Sequence, residues 1–220
     1  EDKGYVTAEQ IGQALAYQKE HRDKRVGQIL MELGFVTENQ VLEALADRLH
    51  LEIVDVAQIP VNLKAVGMIN RELAEKNLIL PVSVNEHSMV LVTNDPLNYF
   101  ALEEVRQQTG CHLEIQLSEE VPLKKAVSYY YAEVHARKAA KQANVGFSTT
   151  DIDELEIENL DNPDEAPIIQ LLNSLIERAI KAEASDIHIE PFEQETNVRM
   201  RIDGVVSEYV KIQKNIHGPL

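Results

Sequence analysis

The sequence predicts an α+β protein with four successive parts, each indicated by its own pattern of residues. A helical tandem repeat occupies residues 1–60, and alternation of helix and strand patterns predicts a small α/β subdomain at residues 61–143. An acidic stretch at residues 144–165 predicts a flexible linker. Residues 166–220 then show the start of a partial α-β-β-β domain.

Composition limits the classes of partner. The 220 residues carry a formal net charge of -16, which argues against binding to nucleic acid or to an anionic membrane surface. No apolar run approaches the ~20 residues of a membrane span, so we expect no direct membrane insertion. The single Cys111 excludes an intramolecular disulfide. Because the chain begins at Glu1 and stops at Leu220 inside an expected sheet, we expect it to be a fragment of a longer protein.

The tandem repeat is visible as two similar segments thirty residues apart. Gly4–Gln18 returns as Gly34–Arg48, with Gly, Val, Thr, Gln, Ala and Leu at matching positions. Thr7 and Thr37 each precede a Gln by three residues, which is the spacing of a capping box at a helix start. Arg25–Gly34 lies between the copies and predicts a short amphipathic helix that ends at a glycine.

The next segment predicts an α/β layer in the order β-β-α-β-α. Period-two apolar patterns and turn residues predict the strands, and longer amphipathic patterns predict the helices. The strands are Leu78–Val84, Met89–Thr93 and His112–Leu117, and the helices are Leu97–Thr109 and Glu119 to about Ala143.

The acidic stretch has two interpretations. Gly146–Ala166 contains eight acidic residues and neither Lys nor Arg, so self-repulsion predicts an extended linker. An acidic docking peptide is the alternative. Ala166–Ala182 follows as a strongly amphipathic helix with a proline in its first turn.

A predicted β-hairpin, Ala184–Gly204, carries the clearest pattern of charges. Each strand has one polar face and one apolar face. The polar face of the first strand carries two acids and a histidine, namely Asp186, His188 and Glu190. The polar face of the second strand carries two arginines with two other polar residues, namely Asn197, Arg199, Arg201 and Asp203. Cross-strand ion pairing is one interpretation. Binding of phosphate by the two arginines is a second. A metal site is a third, although neighbours on one strand face lie roughly 7 Å apart, too far for three direct ligands without help.

Two groups of motifs resemble a known family. Asp164–Gly204, with its SDIHIEP and VR-x-RIDG motifs, resembles the segment just upstream of the P-loop core in the assembly ATPases of type II secretion and type IV pilus systems, the GspE/PilB family. The tandem repeat, the TNDPLNYFALEEVRQQTG segment and the Tyr-rich helix after it resemble the MshEN-type N-terminal domain of the same ATPases.

The resemblance implies a hexameric cytoplasmic ATPase that uses ATP and Mg, lies peripherally at the inner membrane through partner proteins, and drives pseudopilin or pilin assembly. It also implies that Arg199 and Arg201 approach the ATP phosphates in the full-length protein. The 220 residues contain no G-x-x-x-x-G-K-[ST] motif and no Walker B acid. We therefore expect this chain to contain no catalytic residues and no metal site, to require no cofactor and to be inactive alone.

Some family members bind cyclic di-GMP through tandem RLG-x-x-L…G…L-x-x-A-L-x-x-Q motifs. The positions of this sequence that match those motifs and could bind the dinucleotide are Gln18, Arg25, Gly27, Gly34 and Arg48. Arginines suit phosphate or a guanine edge, and glycines allow close approach. The first motif lacks its Arg-Leu-Gly opening, and Arg48 replaces the final Gln of the second. The alternative is a helical docking module for an inner-membrane platform protein or for the cytoplasmic domain of a secretion or pilus protein.

The leading hypothesis is a non-catalytic regulatory and docking N-terminal region of such an ATPase. The alternative is a stand-alone nucleotide-sensing or protein-docking module with no motor.

Overall fold

The computed structural model describes residues 3–22, 24–146, 167–218 and 220. The chain forms two compact units, Glu1–Val127 and Ser128–Leu220. Most of the predicted acidic linker lies outside the described residues, so its extended character stays a prediction. None of the described helices is both long enough and apolar enough to cross a membrane.

The tandem repeat folds as three helices in the first unit. They are α1 (Ala8–Glu20), α2 (Val26–Glu32) and α3 (Glu38–Leu49). The two predicted capping boxes are confirmed, because the Thr7 and Thr37 hydroxyls each accept the backbone N–H three residues later and the Gln side chain there accepts the threonine N–H. Gly34 follows α2 with φ +71°, a left-handed conformation that ends the helix without the strain of a side chain.

The rest of the first unit contains a mixed four-stranded sheet with flanking helices. In chain order the elements are β1 (Glu52–Ile53), α4 (Leu63–Val66), α5 (Arg71–Asn77), β2 (Ile79–Val84), β3 (Ser88–Thr93), α6 (Tyr99–Thr109), β4 (His112–Leu117) and α7 (Glu120–Gly146). The sheet order is β1-β4-β3-β2, with β4 parallel to both neighbours and β2 antiparallel to β3. From β2 onward this confirms the predicted β-β-α-β-α order.

The core of this sheet consists of aliphatic side chains. Leu80, Leu91 and Leu117 are fully buried, as the apolar runs of their strands predict. Helix α6 begins two residues later than predicted, because Asn98 accepts the N–H of Ala101 with its side-chain oxygen and so acts as the N-cap.

The second unit contains an antiparallel sheet packed on helices. Its elements, besides part of α7, are α8 (Pro167–Lys181), β5 (Asp186–Pro191), β6 (Glu195–Ile202), β7 (Val205–Gln213) and a short 3-10 turn (Lys214–Ile216). The strand order β5-β6-β7 confirms the predicted α-β-β-β arrangement. Its core combines apolar residues of α8 and the sheet with small residues of α7: Leu171, Leu175, Val198, Met200, Ile212, Ala139, Ala140 and Ala143.

The boundary between the compact units falls inside α7, between Val127 and Ser128. The second unit therefore includes the C-terminal part of this helix, which the sequence analysis assigned to the first domain. The predicted domain limits at residues 60, 143 and 165 remain proposals. The α+β class predicted from the sequence is confirmed by both units.

Candidate functional site

The five candidate residues for dinucleotide binding lie on the three helices of the repeat. They are Gln18 in the last turns of α1, Arg25 at the N-cap of α2, Gly27 in its first turn, Gly34 after its end and Arg48 in the last turn of α3. The Gln18 Nε2 donates to the carbonyl oxygen of Lys24 at 2.9 Å. This hydrogen bond brings the amide of α1 next to the start of α2, where Arg25 lies.

Arg25 contacts a residue that the sequence analysis did not select. Its Nη1 donates to Asp95 Oδ1, across 70 residues of sequence. The same carboxylate oxygen accepts the N–H of Leu97 at 3.1 Å, and the Asp95 N–H donates to the hydroxyl of Thr93 at 3.2 Å. These bonds orient the aspartate on the turn after β3. Both partners remain accessible, since the side chains are 43% and 33% exposed.

The two glycines have different structural roles. A Cβ added to Gly27 would lie 3.1 Å from Val41 Cγ1, so the missing side chain lets α2 pack closely on α3. A Cβ on Gly34 would meet open space, so only the positive φ favours glycine there. Arg48 is exposed and, within the described part of the chain, forms no hydrogen bond with the other four candidates.

The second unit contains the predicted hairpin, and its register places the charged residues of the two strands opposite each other. Asp186 lies opposite Arg201, and His188 lies opposite Arg199. Arg199 Nη1 lies 3.4 Å from Glu190 Oε2, and Arg201 Nε lies 3.1 Å from Asp186 Oδ2. The arginine side chains are 38% and 40% exposed. The cross-strand ion pairs predicted as one interpretation are thus present, and phosphate binding stays a prediction.

The third interpretation of the hairpin, a metal site, receives no support from the geometry. Among the described residues, no group of three or more His, Cys, Asp and Glu side chains could hold a metal ion. His188 Nε2 is buried and has no hydrogen-bond partner there.

The second unit also contains a buried cluster of charges and aromatic rings that the sequence analysis missed. Arg178 of α8 donates from Nε to Glu133 of α7 and from Nη2 to the Tyr129 hydroxyl at 2.7 Å. Its guanidinium carbon lies 4.2 Å from the Tyr129 ring centre and 5.5 Å from that of Tyr209. Arg137 Nε reaches the other Glu133 oxygen at 2.5 Å. The only sequence signal was the run of tyrosines on α7.

This environment changes the acidity of its members. Burial favours the neutral form of Glu133, but the hydrogen bonds from Arg178 and Arg137 outweigh it and lower the pKa of this carboxyl. Burial, together with the nearby charge of Glu133, raises the pKa of the Tyr209 hydroxyl, which therefore stays neutral. The cluster holds one carboxylate between two cations, and we interpret it as an interaction that stabilises the fold of the second unit.

Comparison with known proteins shows what the chain is similar to. Residues 49–137 match the model of the MshEN domain, and residues 161–219 match that of the type II/IV secretion system protein. The chain is 30% identical over 210 residues to the type IV pilus assembly ATPase PilB of Myxococcus xanthus. It is 33% identical over 187 residues to the type II secretion system protein E of Xanthomonas campestris.

These two relatives are much longer than the chain. The matches cover 94% and 82% of this chain but only 37% and 32% of the two relatives, so the chain spans about a third of their length. Among solved structures, one described as MshE with cdg superposes with a TM-score of 0.55 at 29% identity. That match covers 59% of this chain and 94% of the other.

Proposed function

We propose that this chain is the non-catalytic regulatory and docking region of a full-length ATPase that powers type II secretion or type IV pilus assembly, and that its helical repeat senses cyclic di-GMP. The relatives named as assembly ATPases support the first part. The similarity to MshE with cdg supports the second. The full-length protein would be a cytoplasmic hexamer that uses ATP and Mg and binds an inner-membrane platform protein or the cytoplasmic domain of a secretion or pilus protein.

The observation that carries the dinucleotide proposal is the accessible pair of Arg25 and Asp95. An arginine donates to the O6 and N7 of a guanine or to a phosphate, and a carboxylate accepts from the N–H groups of the guanine edge. Cyclic di-GMP presents all of these groups. The Gln18 amide adds a polar group beside the start of α2, and Gly27 holds that helix close to α3.

Calorimetric titration of the full-length protein with cyclic di-GMP tests this proposal. Arg25→Ala is expected to weaken binding at least tenfold, about 1.4 kcal/mol, because a charge-assisted hydrogen bond is lost. Arg106→Ala is the matched control, since Arg106 is an exposed arginine that also pairs with a carboxylate, Glu103. Absence of heat at high micromolar ligand, or equal binding by Arg25→Ala, would contradict the proposal.

A second part of the proposal assigns Arg199 and Arg201 to the ATP phosphates in the full-length protein. Their present partners are half-exposed carboxylates, and exposed ion pairs contribute about 0–1 kcal/mol. Exchanging a carboxylate for a phosphate would therefore cost the hairpin little. Guanidinium groups also stabilise charge that develops on the transferred phosphoryl group.

The ATPase rate of the full-length protein tests these arginines. Arg199→Ala or Arg201→Ala is expected to lower kcat at least tenfold. Lys211→Ala is the control, because Lys211 is an exposed cation on the same sheet that pairs with Glu195. An unchanged kcat would contradict a role of these arginines at the ATP phosphates and would leave them only their ion pairs within the hairpin. A coding sequence that lacks a Walker A motif downstream would instead favour the stand-alone sensing or docking module.

A further inference from the structure

Helices α5 and α6 of the first unit form a groove that neither the cyclic di-GMP proposal nor the ATP-phosphate proposal uses. Asn98 Nδ2, at the start of α6, donates to Asn77 Oδ1, at the end of α5, at 2.9 Å. At the opposite end, the Asn70 N–H donates to Gln108 Oε1 at 3.1 Å. The start of each helix therefore meets the end of the other, and amide hydrogen bonds close the groove at both ends.

The groove is open and mostly polar, with a small apolar patch among its lining residues. Its volume is about 360 Å³. Leu73 and Ala101 line it and are 7% and 4% exposed. Phe100, also in the lining, is 93% exposed, more than any other large apolar side chain among the described residues. A nearly bare aromatic ring at the rim of a groove is a surface that burial would stabilise.

Charges at the rim are unbalanced. Glu72 and Glu104 line the groove together with a single cation, Lys76. Neither carboxylate forms an ion pair with any residue that the structure describes, whereas the adjacent Glu103 pairs with Arg106 at 2.6 Å. The groove therefore retains an uncompensated negative charge next to the Phe100 ring, in a chain whose net charge is -16.

We propose that this groove binds a short segment of a partner protein in which an apolar side chain lies next to a lysine or arginine. The apolar side chain packs on Leu73, Ala101 and the Phe100 ring, and removal of the ring from water stabilises the complex. The cation meets Glu72 and Glu104 and lies against the face of the ring, where its attraction to the aromatic quadrupole adds to the ion pair.

The groove and the arginines of the proposed function are different features. The groove lies between α5 and α6, whereas Arg25 caps α2 and the paired hairpin arginines belong to the second unit. Peptide binding here depends on neither cyclic di-GMP nor ATP. Its failure would leave the cyclic di-GMP and ATP-phosphate proposals intact, and the reverse also holds.

Selection from a phage-displayed library of random peptides on the 220-residue chain tests the proposal. We expect enriched peptides to share an apolar residue beside Lys or Arg. By fluorescence polarisation, Phe100→Ala should weaken binding of the labelled peptides at least tenfold, and Glu104→Gln about threefold, because an exposed ion pair contributes less than a buried ring. Tyr99→Ala and Glu103→Gln are matched controls on the same helix outside the lining, and should change the affinity less than twofold.

Salt dependence and stability complete the test. Affinity should fall as ionic strength rises, because the ion pairs at the rim are accessible to screening. Phe100→Ala should retain the melting temperature, since the ring is 93% exposed and contributes little to the folded core. The proposal would be overturned if the selection enriched no peptides or enriched peptides without a cation. It would also be overturned if binding did not depend on salt, or if Phe100→Ala and Tyr99→Ala bound the peptides equally well.

Discussion

Two arginine–carboxylate pairs, one in each unit, each join segments that are distant in sequence. One pair is buried and the other is exposed to solvent. Arg178 and Glu133 are 6% and 7% exposed, whereas Arg25 and Asp95 are 43% and 33% exposed. The first pair is enclosed by tyrosine rings and holds α8 against α7. The second is open to solvent. Burial, more than the identity of the residues, separates a structural ion pair from one that is available to a ligand.

The physical reason is the cost of removing charge from water. A buried carboxylate is stable only when donors replace its water, and Glu133 has two arginines as donors. An exposed pair keeps its hydration, so its partners separate at little cost. Three changes test this contrast, beginning with the one that we expect to have the largest effect on stability.

Removal of the buried cation should have the largest effect. Arg178→Ala leaves the Glu133 carboxylate buried with less compensation, and we expect the second unit to lose about 3–5 kcal/mol of unfolding free energy. Urea denaturation followed by circular dichroism measures this change. Arg137→Ala is the control, because Arg137 contacts the same carboxylate with a side chain that is 55% exposed, and should cost about 1 kcal/mol or less.

Equal losses for the two variants would show that burial does not distinguish the arginines. A double replacement, Glu133→Leu with Arg178→Met, removes both charges at once. It should recover most of the lost stability, since apolar residues of similar volume often replace a buried ion pair without cost.

Acid should weaken the buried pair next. The folded state lowers the Glu133 pKa below its ordinary value near 4.5, so the unfolded state binds the proton more readily. The stability that this carboxylate contributes is fully present above that ordinary value and is lost as pH falls through the lower pKa of the folded state. Urea midpoints of the natural chain and of Glu133→Gln should therefore converge below about pH 4.5. A difference that is constant with pH would contradict the assignment.

Disruption of the exposed pair should have the smallest effect on stability. Arg25→Ala and Asp95→Asn are each expected to change the unfolding free energy by about 1 kcal/mol or less, because the pair is open to water and salt. Thermal denaturation at low and at physiological salt measures the change. A loss as large as that of Arg178→Ala would make Arg25 a structural residue and would remove the basis of the dinucleotide site.

Much of the fold could be predicted because its signals are local. The capping boxes at Thr7 and Thr37, the glycine at the end of α2 and the strands of the hairpin each depend on residues that lie within a few positions of each other. Period-two alternation placed Arg199 and Arg201 on one face of β6. The motifs of the hairpin and the repeat indicated the resemblance to the secretion and pilus ATPases, which the comparisons confirm.

The partners of the candidate residues could not be predicted in this way. The sequence analysis did not select Asp95, yet this residue contacts Arg25 from a position 70 residues away. Arg178 was one charge on an amphipathic helix, yet it is buried against Glu133, 45 residues earlier. The groove at Phe100 depends on the antiparallel contact of α5 and α6, and no periodic pattern encodes that contact.

The sequence by itself therefore determined most of the helices and strands, the caps, the faces of the hairpin and the resemblance to the secretion and pilus ATPases, because these depend on residues that are close together in the chain. Only the tertiary structure decided which side chains meet and how much water they retain. As a result of packing, Arg178 is a buried structural cation, whereas Arg25 remains accessible beside Asp95. The strength of a charge pair depends on its dielectric surroundings, and packing between distant segments creates those surroundings.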